Sequence, residues 1–427
     1  MKESGSEHKL AEHLFRENAG KMTAVLSRIF GLNQIDRIMD VVQDTFEAAL
    51  VKWKYKGIPD NPSAWLMQVA KNKAVNVFKR EGRTSVYPPD EFRSVISASH
   101  DYQDGPDAEK ETKYSQLRLL LACCHPGLSE KNQVILTLNI LCGFGIKELT
   151  GALFMNESAV KKSLFRTRQK LRDMVKLPEY YPAIWKEERI ESLRTILYLM
   201  FNEGYKTTRS NGIMDHGLCY EAIRLTKLLL DYDRSGNGQN EALLALMFFN
   251  LSRFAARISS DGMHISLEKQ DRSKWNHIFI SEGYFYLNKA TEGTELSSYH
   301  LESIIASVHC SASSFRETDW KTIVKLYEKL EQINSSPMVT LNRIIAQSYL
   351  YDPQIALTAL RQLNGHPVLQ SQHLLYASEG DLLERTAQYT EAIKAYRKAI
   401  KMAEAEPDRR FLQAKIQALR DANPELR

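Results

Sequence analysis

ESAVKKSLFRTRQKLR, residues 157–172, predicts an α-helix of about four turns that carries six basic residues and a single acid. Its net charge of +5 equals that of the whole chain of 427 residues. Residues 1–173 contain 26 Lys and Arg against 21 Asp and Glu, whereas residues 174–427 contain 31 of each kind. A short helix that concentrates the positive excess indicates a polyanionic partner, although an isolated basic helix can also be a solvated surface.

The composition of the whole chain is that of a soluble globular protein with about three domains, with 43% hydrophobic and 26% charged residues. The polar start, MKESGSEHKLAEHLF, predicts no signal peptide. Because no apolar run reaches about 18 residues, we expect no membrane span and a cytoplasmic location.

The five cysteines are odd in number and have no paired spacing, which fits a reducing compartment. Cys123, Cys124 and His125, with Cys142 further along, suggest a metal site at first sight. Adjacent cysteines without a C-x-x-C pair rarely hold a tetrahedral ion. We therefore predict buried thiols and no metal.

Helical periodicity dominates the chain, so the predicted fold class is all-α. Residues 34–53, QIDRIMDVVQDTFEAALVKW, give the clearest amphipathic helix, with acids at every fourth position on another face: Asp36, Asp40 and Asp44. Like charges at this spacing repel each other, which suggests a basic partner for the acidic face, although the local pattern alone also fits a solvated face. The predicted apolar face comprises Ile35, Ile38, Met39, Val42, Phe46, Ala49, Leu50 and Trp53.

A second helix is predicted to begin at Pro62, with Asn61 as its N-cap. Trp65 and Phe78 are expected in the core, although aromatic side chains beside a basic surface also suit unstacked DNA bases. Residues 71–83 carry a net charge of +4. The predicted polar surface comprises Lys71, Asn72, Lys73, Asn76, Lys79 and Arg80.

Residues 86–112, which are rich in proline and acids, are predicted to be a flexible linker between a domain at 1–85 and one at 113–175. In the second domain, a short helix at 146–153, a turn at 154–156 and the basic helix have helix-turn-helix spacing. The packed side is predicted to contain Leu149, Leu153, Val160, Leu164 and Leu171.

DVVQDTFEAALVKW followed by IPDNPSAWLMQVAKNKAVNVFKRE resembles region two of bacterial RNA polymerase sigma factors of the extracytoplasmic-function (ECF) group. This resemblance implies that Asp40, Gln43, Asp44 and Phe46 bind core RNA polymerase. It also implies that the polar surface of the second helix meets the minus-ten promoter element, and that the loop at 55–61 receives a flipped base.

The helix-turn-helix resembles sigma region four, which reads the minus-thirty-five element, although its FGIKELTGALF entry departs from the family pattern. Phosphate contacts are expected towards the end of the basic helix, and base contacts near its start. The predicted minus-thirty-five residues are Ser158, Lys161, Lys162, Arg166, Arg168 and Lys170.

Residues 183–427 predict a succession of helices. Gly380, Ala392, Tyr396 and Ala399 lie at tetratricopeptide spacing, and residues 337–363 form a degenerate candidate repeat. This half resembles the C-terminal extension of an ECF subgroup, which implies regulation of the sigma factor through an intramolecular contact or a protein partner.

The chain has no glycine-rich phosphate loop, H-E-x-x-H or nucleophile elbow, so we predict no enzymatic activity and no cofactor. The polar segments 202–205 and 270–275 are interpreted as interhelical hydrogen-bond networks rather than ligand sites. The chain is thus predicted to be a sigma factor that binds core RNA polymerase and promoter DNA. The alternatives are a free-standing helix-turn-helix regulator with a sensing domain, or a helical scaffold.

Overall fold

The computed structural model describes residues 18–82, 106–153, 155–174, 187–205, 216–233, 235–259, 263–293, 295–403 and 405–424. The chain forms two compact units, Met1–Leu199 and Met200–Arg427. The all-α prediction is confirmed, since the described segments contain helices and only an isolated bridge between Ile258 and His264. None of the described helices combines the length and apolarity that a membrane span requires.

The first unit begins with three helices that share one apolar core: α1 at residues 18–30, α2 at Ile35–Lys56 and α3 at Pro62–Gly82. A 3₁₀ turn at Leu32–Gln34 joins α1 to α2. Each of the three helices presents one apolar stripe at 3.6-residue spacing, and the three stripes pack together. The core includes Met22, Leu26, Ile38, Val42, Leu66, Ala70, Ala74 and Phe78.

Gly57 and Asn61 determine where α2 ends and where α3 begins. Gly57 ends α2 with a φ of 78°, which favours glycine. Asn61 accepts a hydrogen bond from the backbone N–H of Ala64 at 3.0 Å, as predicted for the N-cap of a helix that starts with Pro62. One expectation for α2 is wrong: Leu50 is 54% exposed, because it lies at the edge of the apolar stripe rather than on the side that packs.

Four more helices follow: α4 at Pro106–Cys123, α5 at Glu130–Ile140, α6 at Ile146–Leu153 and α7 at Glu157–Met174. The bounds of α6 and α7 agree with the predicted pair. The predicted linker is corrected at its end, since residues 106–112 belong to α4, and residues 86–105 lie outside the described ones.

The thiols of this region are buried as predicted. Cys123, Cys124 and Cys142 are buried thiols outside any disulfide, and burial raises the pKa of Cys124 to about 12. Among the described residues, no three His, Cys, Asp or Glu side chains come together in a group that could hold a metal ion.

The described part of the second unit is also built from helices, and helix α8 contains the division between the units at Leu199. Residues 187–199 therefore belong to the first unit, whereas the extension was predicted to begin at 183. The helices are α8 (Glu187–Tyr205), α9 (His216–Leu230), α10 (Gln239–Ser252), α11 (Phe254–Arg257), α12 (His277–Ala290), α13 (Ser298–Ser311), α14 (Trp320–Ile333), α15 (Pro337–Gln347), α16 (Pro353–Gln362), α17 (His373–Arg385), α18 (Tyr389–Met402) and α19 (Glu406–Ala422).

Helix α10, QNEALLALMFFNLS, is apolar on all sides and lies at the centre of its helix group. It packs against α9, α12 and α13. Gly283 of α12 lies so close to α10 that an added Cβ would come within 2.6 Å of the Phe249 ring. The glycine therefore permits the close approach of these two helices.

Helices α17 and α18 pack against each other. A Cβ on Gly380 would lie 2.5 Å from the Tyr396 ring, and Ala392 is fully buried. The small residues therefore let the helices approach while Tyr396 fills the space between them, as the sequence predicts. The hydroxyl of Tyr396 donates to Glu384 Oε2 at 2.8 Å.

Candidate nucleic-acid interface

The exposed side of α2 carries three of the four residues predicted to bind polymerase. Asp40, Gln43 and Asp44 are exposed, and Gln43 Nε2 donates to Glu47 Oε1 at 3.3 Å. Phe46 is only 8% exposed and belongs to the apolar core. The prediction that Phe46 itself contacts a partner is therefore wrong, because the residue lies on the packed stripe of the same helix.

Helix α3 exposes four of the six residues predicted for the minus-ten element: Asn72, Asn76, Lys79 and Arg80. Lys71 is only 5% exposed, since it lies four and seven residues before the buried Val75 and Phe78, on their side of the helix. Its assignment to the DNA-facing surface is wrong. Lys73 is half-buried, and its ammonium donates to the backbone oxygen of Asp44 at 2.6 Å.

An apolar patch lies at the end of α2 and in the loop that leads to α3. Tyr55 is 78% exposed, and Leu50, Val51 and Ile58 are also exposed. Trp65 is half-buried against Trp53, with 5.4 Å between ring centroids. The aliphatic part of this patch was missed because Leu50 fits the helical periodicity of the core.

The side chains of α7 divide into three stripes. Val160, Leu164, Thr167 and Leu171 are buried. A second stripe, at spacing i, i+4 and i+8, is exposed and consists of Lys162, Arg166 and Lys170. A third stripe, at spacing i, i+4, i+7 and i+11, faces α2 and consists of Lys161, Phe165, Arg168 and Arg172.

The third stripe corrects the prediction that Arg168 lies on the outer surface with the other basic residues. Its guanidinium is 2.9 Å from Asp36 Oδ1, and that of Arg172 is 2.8 Å from Asp36 Oδ2. Arg168 also donates to the side chain of Asn139. Because this arrangement depends on packing between distant segments, the local spacing of basic residues could not reveal it.

The start of α7 is fixed by Asn156. Its side-chain oxygen accepts hydrogen bonds from the N–H of Ala159 and the hydroxyl of Ser158, each at 2.8 Å. Lys161 lies 2.6 Å from Glu157, and hydrogen bonding to the Lys161 ammonium lowers the pKa of that carboxyl. Ser158 therefore contributes to the helix cap, whereas Lys162 is exposed one turn further on.

In the second unit, the polar segment 270–275 links several helices, as predicted. Arg272 donates to the backbone oxygen of Ala312 at 2.7 Å and also to that of His309. Arg257 donates to the backbone oxygen of Tyr205 at 2.7 Å, and Gln270 donates to that of Ile265 at 3.1 Å. These side chains therefore have hydrogen-bond partners within the second unit.

Comparison with known proteins identifies two parts of the chain. Residues 14–84 match the model of sigma-70 region 2, and residues 189–291 match a family of unknown function, DUF6596. The chain is 31% identical over 375 residues to an uncharacterized protein of Rhizobium meliloti (strain 1021), covering 86% of this chain and 87% of that protein.

No solved structure matches the chain. The region-two match covers α1, α2 and α3, the helices that carry the acidic and the polar surfaces described above. The chain therefore carries a sigma-70 region two, the part by which sigma-70 factors, which are transcription initiation factors rather than enzymes, bind core RNA polymerase and promoter DNA.

Proposed function

We propose that the chain is an ECF-type sigma factor in which α2 binds core polymerase, α3 meets the minus-ten element and α7 meets the minus-thirty-five element. The observation that carries this proposal is the arrangement of the matched region two. Its acidic residues and its Asn and Arg residues are exposed on two successive helices that share one core. The outward stripe of α7 supports a second DNA contact.

The proposed polymerase-binding and DNA-binding surfaces differ in charge. Asp40, Gln43 and Asp44 form an acidic face that suits a basic surface on polymerase, whereas Lys162, Arg166 and Lys170 suit DNA phosphates. Tyr55 is exposed at the end of α2, just before the loop to α3, and its ring could stack on an unpaired base. Because each basic patch is small, DNA binding at physiological salt should depend on polymerase.

The test is a pull-down of core polymerase by the full chain, followed by run-off transcription. Asp44→Lys should weaken core binding about tenfold or more, because it places a like charge in the interface. Glu328→Lys makes the same change of charge at an exposed position of α14 and serves as the matched control. Equal binding of core polymerase by wild type and Asp44→Lys would show that this face of α2 is not part of the polymerase interface.

The DNA role of α7 is tested separately with Lys162→Glu. This variant should retain core binding and lose about tenfold in promoter binding by the holoenzyme, through loss of a phosphate contact and added repulsion. Lys329→Glu, at an exposed position of α14, is the control. If Lys162→Glu weakened core binding as much as Asp44→Lys does, the division between the two helices would be wrong.

The second unit is proposed to modulate the sigma activity through its helical surfaces. Truncation tests this role, and the cut should leave α8 in place, because Arg189 Nη2 donates to the backbone oxygen of Leu121 at 3.0 Å within the first unit. We expect truncation after Tyr205 to change the transcription output of the holoenzyme. Output with the same level and the same response as the full chain would refute a modulating role.

A free-standing helix-turn-helix regulator would use α7 but would leave the exposed face of α2 without a partner. Tight, specific DNA binding by the chain alone, with no retention of core polymerase, would favour that alternative. The same pull-down therefore separates the two functions.

A further inference from the structure

Arg253, which directly precedes α11 in the second unit, has N–H groups that are not used within the protein. Its Nε donates to Gln270 Oε1 at 3.4 Å, and its side chain makes no other hydrogen bond to the described residues. The residue is half-buried, so its remaining N–H groups are accessible from solvent. Arg257 and Arg272, by contrast, donate to backbone oxygens. Arg253 is therefore the arginine of this region that can bind a further partner.

Arg253 and Arg272 lie over the same aromatic ring. Their guanidinium carbons are 5.3 and 4.8 Å from the centroid of the Trp275 ring, which limits the separation of the two carbons to about 10 Å. A guanidinium that packs on an aromatic ring keeps N–H groups at its edge, where they can bind a carboxylate or a phosphate. Gln270, which orients Arg253, is itself held by its bond to the backbone oxygen of Ile265. The donors of Arg253 are therefore positioned before a partner binds.

The charges of these two arginines have no counter-charge nearby. Among the described residues, no carboxylate forms an ion pair with Arg253 or Arg272. Asp271, in the same segment, accepts hydrogen bonds from the backbone N–H and the hydroxyl of Ser273 instead. The acceptors of Arg272 satisfy its N–H groups without balancing its charge, because they are neutral: the backbone oxygens of His309 and Ala312 and the hydroxyl of Thr318.

This positive charge acts on neighbouring groups. Burial, followed by the charges of Arg253 and Arg272, lowers the pKa of His309 to about 3. Burial also lowers the pKa of the Arg272 guanidinium, and repulsion by Arg253 acts in the same direction. His309 is therefore neutral at physiological pH, and the surroundings of Arg253 have a positive potential that favours an anion.

Trp275 provides a second, independent observation. The residue is only 3% exposed, and its indole N–H has no acceptor among the described residues. A buried donor without an acceptor is costly and rare in folded proteins. Two guanidiniums without a counter-charge thus lie beside an indole N–H without an acceptor. An oxyanion offers both a negative charge and hydrogen-bond acceptors.

We infer that Arg253, Gln270, Arg272 and Trp275 form a binding site for one oxyanion group, the phosphate or carboxylate of a small molecule. Arg253 donates to the anion, Arg272 adds positive charge while it keeps its internal bonds, and the Trp275 ring supports both guanidiniums. Since Gln270 and Trp275 are buried and the arginines are half-buried, the exposed part of the site is small and suits a single group. The inference goes beyond the proposed function, because this binding requires neither polymerase nor DNA.

The test is a titration of the full chain, at constant ionic strength, with inorganic phosphate, pyrophosphate, succinate or citrate. Nuclear magnetic resonance detects the indole N–H signals of the five tryptophans, and replacing each tryptophan by Phe assigns them. At least one of these anions should shift the Trp275 signal and saturate at millimolar concentration or below, while the signals of Trp53 and Trp65 stay in place. Saturation by the phosphates alone would identify a phosphate ligand, and saturation by succinate or citrate alone a carboxylate ligand.

Arg253→Gln should weaken anion binding about tenfold or more, because it removes the charged donor. Lys274→Gln removes the same charge from an exposed position of the same segment and should bind as the wild type does. Equal affinity of wild type and Arg253→Gln would overturn the inference, as would a wild-type Trp275 signal that does not move or that never saturates with any anion. Circular dichroism checks that Arg253→Gln is folded; if it is not, the wild-type titration alone decides.

Discussion

Arginine has different roles in the two units. In the first unit, Arg168 and Arg172 reach across a partly exposed surface to the carboxylate of Asp36. In the second unit, the Arg257 guanidinium lies 3.7 Å from the Tyr205 ring centroid and donates to the backbone oxygen of the same residue. The guanidinium of Arg272 lies 4.8 Å from the Trp275 ring and donates to backbone carbonyls.

This difference determines which arginines can change partners. A carboxylate in contact with water is readily replaced by a phosphate, because both accept paired hydrogen bonds from a guanidinium. Backbone carbonyls at the end of a helix have fixed positions, and leaving them without donors in a buried site is costly. The arginines of α7 are therefore exchangeable, whereas those beside Tyr205 and Trp275 are structural.

The largest expected effect comes from removing a structural arginine. Arg272→Gln should lower the free energy of unfolding by about 3–5 kcal/mol, because Arg272 donates to three acceptors around the end of α13. Lys274→Gln, two residues away and exposed, is the control and should change stability little. Urea unfolding followed by circular dichroism measures both. A loss below about 1 kcal/mol for Arg272→Gln would show that water replaces these bonds.

The second expected effect is a loss of stability in acid that arises in the second unit. Burial, followed by the charges of Arg257, Arg253 and His373, lowers the pKa of His264 to about 4. Because the unfolded state binds the proton near pH 6.5, the stability contributed by neutral His264 is present above that pH and is lost as the pH falls towards 4. The loss should reach about 2 kcal/mol at pH 5.

His264→Gln should reduce this pH dependence between pH 7 and pH 5, whereas replacement of the exposed His277 by Gln should leave it unchanged. Unfolding curves at several pH values provide the measurement. The same loss of stability in wild type and His264→Gln would mean that His264 is accessible to protons in the folded state.

Helix bounds and close helix packing could be predicted from the sequence, whereas the orientation of several side chains could not. The bounds of α6 and α7 and the packing of Gly380 on Tyr396 follow from local periodicity and side-chain size, so they were predicted. The inward positions of Lys71 and Arg168 were not, because a basic residue in a basic segment has the same local pattern whether it faces water or a distant carboxylate. Phe46 was misassigned for a related reason: a partner-binding motif and a core stripe overlap on one helix.

The smallest expected change in stability comes from an exchangeable arginine. Arg172→Gln removes one of the two pairs to Asp36, and Arg168 remains, so the first unit should lose no more than about 1 kcal/mol. Lys170→Gln, on the outward stripe, should leave stability unchanged but lower the salt dependence of DNA binding by the holoenzyme by about one counterion. Thermal unfolding and binding at several salt concentrations measure the two variants side by side. If Arg172→Gln destabilised the protein as much as Arg272→Gln, the pair with Asp36 would be a fixed structural bond rather than one that a phosphate can replace.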